Sequence, residues 1–178
     1  EESRPVLTGV KLELEGDNFT LAAADGFRLA VHKGKLAEPV VESVTAIIPS
    51  KTLNELGRFL SDREEMVEMM ITPVKGQVLF RLENIQVVSQ LIQGTFPNYS
   101  QLIPEGYQTR AVIDLQAFQR AVRTSSIFAR DGSGIIRLQM VPGADGATGK
   151  IVVSARAEEI GDNIGEVDTE MDGEDAKI

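Results

Sequence analysis

The sequence contains no cysteine, which excludes disulfide staples and thiolate metal sites and makes a reducing cytoplasm the expected compartment. A single histidine, His32, leaves little for imidazole catalysis or a transition-metal site. No apolar run approaches the roughly 18 residues that a membrane-spanning helix needs. No basic-then-apolar leader opens the chain. Its first residues are Glu1-Glu2-Ser3 rather than Met, so it is expected to be a piece of a longer protein. Catalytic signatures are missing too, with no nucleophile elbow, P-loop or paired-carboxylate motif. The remaining acid–base candidates, Asp25 and His32, stand seven residues apart. Asp25 lies in an Asp-Gly turn and is expected to fix that turn through its own carboxylate. Neither an enzymatic role nor a cofactor is expected.

What is present is an apolar content of 42% in 178 residues, enough for one domain or two small ones. A net charge of -9 would argue against nucleic acid if it were spread evenly. It is not: Glu158, Glu159, Asp162, Glu166, Asp168, Glu170, Asp172, Glu174 and Asp175 follow one another without a Lys or Arg. The rest of the chain is close to neutral. The spacing of these acids matches no EF-hand loop. They are expected on a solvated edge strand, where charge discourages stray pairing.

The first hundred residues read mostly as strands. Val6–Leu14 alternates in its second half, and Phe19–Ala23 returns after the turn at Glu15–Asn18. Phe27–Val31 and Val44–Ile48 follow. Ser50 is placed to cap a helix with Leu53, Leu56, Gly57 and Leu60 on one stripe and Lys51, Glu55, Arg58 and Asp62 opposite, ended by Ser61-Asp62. Met66–Thr72, Gln77–Glu83 and Ile85–Ile92 are three more strands. Gly94–Gly106 is a proline-bearing loop and the expected domain boundary. Beyond it, Arg110–Ile113 is a strand and Asp114 caps a helix to about Ser126. Leu115, Phe118, Ala121 and Val122 are expected inward on that helix, with Gln116, Gln119, Arg120 and Arg123 outward. Ile135–Val141 and Lys150–Ala157 form a hairpin.

Two segments are distinctive in combination: Ala23-Ala24-Asp25-Gly26-Phe27-Arg28-Leu29-Ala30 and Phe96-Pro97-Asn98-Tyr99-Ser100-Gln101-Leu102-Ile103-Pro104. Each alone is an ordinary hairpin or loop. In this order, with Ile48-Pro49-Ser50-Lys51, one helix and three strands between them, they resemble the bacterial DNA polymerase III beta subunit family of sliding clamps. The resemblance runs over nearly the whole chain and is strongest from Arg4 to Pro104. It implies an α+β DNA-clamp fold, mainly antiparallel sheet with one helix per partial domain. Residues 1–106 would be the middle clamp domain without its opening strand and helix. Residues 107–178 would be the first half of the third domain.

The resemblance further implies a peptide-docking pocket built from Leu7, Ala24, Gly26, Phe27, Arg28, Leu29, Pro97 and Leu102. Gly26 would supply positive φ and Pro97 stiffness, while Arg28 pairs its head with an acid. Ala24 stands where many members carry Thr, and Phe27 where the best-known members carry His or Tyr. Lys51, Arg58, Arg120 and Arg123 would face duplex DNA, touching phosphates without reading bases. Ile127 and Phe128, just after the second helix, would join a subunit interface. Implied partners are duplex DNA, the polymerase III alpha subunit, the clamp loader and other proteins with clamp-binding motifs, around a homodimeric ring and away from membranes. The residues also have plainer readings. Leu7, Leu29, Leu102, Ile127 and Phe128 suit an ordinary core, and the basic residues suit solvated helix faces, Glu55 pairing with Lys51 or Arg58. The alternative function is a non-enzymatic β-rich interaction domain unrelated to DNA.

Overall fold

The computed structural model describes residues 4–60, 65–72, 76–144, 148–159 and 161–178. The chain divides into two compact units, Glu1–Ile103 and Pro104–Ile178.

In the first unit, Pro5–Thr8 forms a 3-10 turn, followed by β1 (Gly9–Glu15), β2 (Asn18–Ala24), β3 (Leu29–Lys35) and β4 (Val44–Pro49). Val6 to Thr8 therefore belong to the turn, not to the strand expected from Val6. Pro5 sets the helical φ of that turn, and its carbonyl accepts from the Thr8 hydroxyl at 2.7 Å. The third strand also starts and ends later than expected. Asp25–Arg28 is the turn itself, and Lys33-Gly34 continues the ladder opposite Phe19 and Thr20. The four strands pair antiparallel in the order β3-β2-β1-β4. α1 (Ser50–Leu60) follows, and then β5 (Glu68–Thr72), β6 (Gln77–Arg81) and β7 (Gln86–Gln90) form a three-stranded meander.

The alternation along β1 sends its side chains to two environments. Leu12 and Leu14 join Ile48, Leu56, Val78, Phe80 and Leu82 in the main core. Each fully buried aliphatic or aromatic side chain contributes roughly 1.5–3 kcal/mol of burial. Leu56 is buried at the centre of the α1 stripe and Leu53 and Leu60 pack beside it, but Gly57 is exposed at the edge of the stripe. The expected ending at Ser61-Asp62 lies outside the described residues. On the opposite face of the sheet, Ala22 and Ile47 pack with Phe96, and Val6, Leu7, Ala24, Val31, Ile92 and Tyr99 surround them.

The second unit contains β8 (Thr109–Ile113), α2 (Leu115–Arg130), β9 (Arg137–Val141), β10 (Gly149–Ala157), β11 (Gly161–Gly173) and β12 (Ala176–Lys177), ordered β12-β9-β10-β11-β8. Asp114 is the N-cap of α2, accepting from the Ala117 amide at 2.7 Å. The helix runs past Ser126 to Arg130, so Ile127 and Phe128 lie within it rather than after it. Leu115 is 75% exposed rather than inward. The helix approaches the sheet through small residues farther along. Ser125 and Ala129 are buried, and a Cβ on Gly165 would meet Ala121 Cβ at 3.5 Å. The acidic segment is also placed differently from expectation. β11 is an interior strand between β10 and β8, with Val167 and Thr169 buried and Glu166, Asp168 and Glu170 exposed. Its charges are the solvent face of a paired strand, and β8 is the edge.

Candidate functional site

The turn between β2 and β3 is built by its own side chains. Asp25 Oδ1 accepts from the amides of Phe27 at 3.1 Å and Arg28 at 2.9 Å. Asp25 Oδ2 accepts from Arg28 Nε at 2.8 Å. The Arg28 guanidinium, followed by the two backbone amides, lowers the Asp25 carboxyl to about 2. Gly26 takes φ of +89°, a conformation that costs a residue with Cβ more than it costs glycine. With Asp25 and Arg28 bound to each other, Phe27 is pushed fully outward at 99% exposure.

The second segment crosses the same side of the unit. Phe96 enters the cluster beneath β2 and β4, with Leu7 and Ala24 beside it. Tyr99 donates its hydroxyl to Glu13 Oε2 at 2.6 Å, and Lys11 Nζ lies 2.7 Å from Glu13 Oε1 and 5.3 Å from the Tyr99 ring centre. The Glu13 carboxyl is held below its ordinary range by the Lys11 ammonium and then the Tyr99 hydroxyl, against the upward push of burial. Tyr99 is pushed up to about 12, chiefly by its bond to that carboxylate. Residues Ser100–Leu102 then close a 3-10 turn hung from the Tyr99 carbonyl, to which the Leu102 amide donates at 3.0 Å.

The predicted pocket residues thus fall into two groups. Leu7 and Ala24 are half-buried in the cluster that contains Phe96, and Leu29 is half-buried on β3. Gly26, Phe27, Arg28, Pro97 and Leu102 are exposed, Leu102 at 65%. Ala24 of the first segment and Phe96 of the second thus belong to one apolar cluster, and each segment also carries exposed apolar side chains. Phe96 also lines a separate cavity of about 420 Å3 shared with Lys11, Ile47, Thr72 and Ile92, none of which is a predicted pocket residue. No site role is expected for Glu13 or Lys11 from the sequence, and Tyr99 enters there only as a member of the second segment. The Lys-Leu-Glu-Leu alternation marks Lys11 and Glu13 as facing away from the main core, but nothing local joins them to Tyr99, 86 residues beyond Glu13.

Elsewhere, Lys51 and Arg58 are exposed on α1, and Arg58 pairs with Glu55 at 3.1 Å. Arg120 and Arg123 are exposed on α2. Ile127 is 53% exposed and Phe128 half-buried. Asp25 and His32 have separate surroundings. Asp25 is engaged within its turn, and His32 lies 5.9 Å from the Phe19 ring. No group of acids and histidine able to hold a metal occurs among the described residues.

Residues 1–98 match the family profile described as the DNA polymerase III beta subunit, central domain. The Beta sliding clamp of Bacillus subtilis is 35% identical, over 90% of this chain and 41% of its own length. That of Staphylococcus aureus is 37% identical, over 99% and 45%. The chain spans less than half the length of these curated relatives. The crystal structure of the DNA polymerase sliding clamp from Bacillus subtilis superimposes with a TM-score of 0.86 at 32% identity, covering 99% of this chain and 45% of that one. The DNA polymerase III subunit beta from Pseudomonas aeruginosa gives 0.82 at 26%, covering 100% and 47%. The α+β architecture, the apolar cluster shared by Ala24 and Phe96 and these likenesses agree, and the chain belongs to the DNA polymerase III beta subunit family, the beta sliding clamps.

Proposed function

We propose that this chain serves in a cytoplasmic sliding clamp, a homodimeric ring that encircles duplex DNA and confers processivity on the replicative polymerase without chemistry of its own. Residues 1–106 act as the middle clamp domain and residues 107–178 as the first half of the third. The polymerase alpha subunit, the clamp loader and other partners dock short motifs on Leu7, Ala24, Gly26, Phe27, Arg28, Leu29, Pro97 and Leu102. The observation that carries this reading is the apolar cluster that the two segments share. Phe96 is buried in a cluster against which Ala24 and Leu7 pack, Phe27 is exposed in the turn that Asp25 fixes, and Leu102 is exposed on the other segment. Exposed apolar side chains on a fixed frame are what a short apolar motif needs.

Lys51, Arg58, Arg120 and Arg123 are proposed to touch DNA phosphates, and Ile127 and Phe128 to enter the subunit interface. Enclosure rather than affinity keeps such a ring on its track, so the chain alone is expected to hold linear DNA weakly. The test is titration of a fluorescent peptide carrying a glutamine and a leucine-phenylalanine pair. Binding is expected to saturate, and to weaken about 10-fold or more in the Arg28→Ala/Leu29→Ala variant. Phe27→Ala, which removes a fully exposed ring, is the control for folding and should weaken binding as well. Absence of saturable binding by the folded chain, with none restored in a chain extended to a complete third domain, favours the interaction-domain alternative instead.

A further inference from the structure

We infer that Glu13 is a positioning residue for the docking site. Through Tyr99 it sets where Pro97 and Leu102 stand, and this role rests on the docking reading above. The loop that carries Pro97 and Leu102 has few regular backbone bonds, so side chains must hold it. It is fastened through Phe96 and Tyr99. Phe96 is buried in the apolar cluster with Ala22 and Ile47. Tyr99 reaches Glu13 on β1 at 2.6 Å. Pro97 lies between these fastenings. Leu102 lies on the 3-10 turn that starts from the Tyr99 carbonyl, with the Leu102 amide bonded to Tyr99 and the Ile103 amide to Ser100. Asn98 stiffens the same turn by accepting from the Ser100 amide at 3.2 Å and hydroxyl at 2.9 Å. Moving Tyr99 therefore moves both proposed contact residues together.

Glu13 is suited to the task because its own place is fixed. It sits in the middle of β1, opposite Thr20 of β2 and Thr45 of β4. Lys11, two residues away on the same face, pairs with its other oxygen at 2.7 Å. The carboxylate thus stays charged and keeps a strong, charge-assisted acceptor aimed at the phenol. Lys11 also covers the Tyr99 ring. Phe96 and the Tyr99 ring pack on the cluster, and the Tyr99–Glu13 bond fixes the phenol end of that anchor as well.

Three variants of the full chain test this: Glu13→Ala, Glu13→Gln and Tyr99→Phe. Two quantities are measured, amide hydrogen exchange at Ser100, Leu102 and Ile103, and the affinity for the peptide above. Exchange at β1 serves as the check that the sheet is intact. Glu13→Ala and Tyr99→Phe are expected to speed exchange of the turn by about 10-fold and to weaken the peptide by several-fold, as loss of a charge-assisted bond implies. Glu13→Gln keeps an oxygen acceptor without the charge and is expected to fall between wild type and Glu13→Ala in both. Unchanged exchange of the turn in Glu13→Ala overturns the inference whatever the peptide does. Faster exchange with unchanged affinity overturns the positioning role. A wild-type chain that binds no peptide, even with the third domain completed, fails the docking reading instead, and the exchange data then decide the anchor by themselves.

Discussion

Asp25 accepts two amides and a guanidinium within four residues, so its charge is needed for the turn to keep its shape. Its folded pKa of about 2 lies below the ordinary 3.8. A carboxylate shifted in that direction contributes stability at pH above its unfolded value and loses it as pH falls through the folded one. The turn is therefore expected to hold across neutral and mildly acidic pH and to open as pH approaches about 2. Carbon-13 NMR titration of the Asp25 carboxyl should give a midpoint near that value; a midpoint at the ordinary position would mean that the Arg28 pairing does not persist in solution. Asp-Gly predicts this turn from the sequence alone, because a carboxylate capping its own next amides is a local interaction. The complete exposure of Phe27 was not predictable in the same way. It follows from Arg28 folding back onto Asp25 and leaving the ring nothing to cover it.

Among the elements, the helices show what periodicity reads well and where it fails. Asp114 is legible as the cap of α2 since capping depends on three neighbouring residues, and Asp114→Ala is expected to cost about 1 kcal/mol. Chemical denaturation monitored at α2 amides checks this, with Asp114→Asn expected to retain most of the stability. An unchanged midpoint in the alanine variant would mean that the bond to Ala117 adds nothing. The inward stripe of α2 was legible only in part. A stripe drawn through the large apolar residues begins at Leu115, but the helix meets the sheet through Ala121, Ser125 and Ala129. Small residues allow close approach, and the bulk of Leu115 stays outside. The interior position of β11 was also out of reach. Alternating acids look the same on an edge strand as on the wet face of a paired one, and the distinction depends on β8, about fifty residues earlier, returning to pair with it.

For the whole molecule, the relevant features are the two units and the uneven charge. The segment from Gln101 to Gln108 is exposed throughout and includes the division between Ile103 and Pro104. Brief digestion with chymotrypsin is expected to cut there, after Leu102 or Tyr107, before it cuts the strands of either unit. Early cleavage inside β1 or β10 instead would show that a unit opens more readily than the connection. The acids of β11 account for much of the net charge of -9 and lie on the exposed face of the second unit's sheet. Net charge is therefore a poor guide to what the basic side chains of α1 and α2 meet.

The sequence by itself determined the strand periods, the two caps and turns at Asp25 and Asp114, and membership of the clamp family through two short segments held in order. These rest on interactions within a few residues or on patterns that survive as text. Only the tertiary structure decided which residues of those segments are buried and which are presented. Phe96 goes inward because the wet side of β1, β2 and β4 leaves Ala22 and Ile47 uncovered there. Tyr99 finds Glu13 because that strand carries its charges on the same side. Contacts between residues 86 positions apart depend on how sheets and loops are layered, and no local pattern encodes that layering.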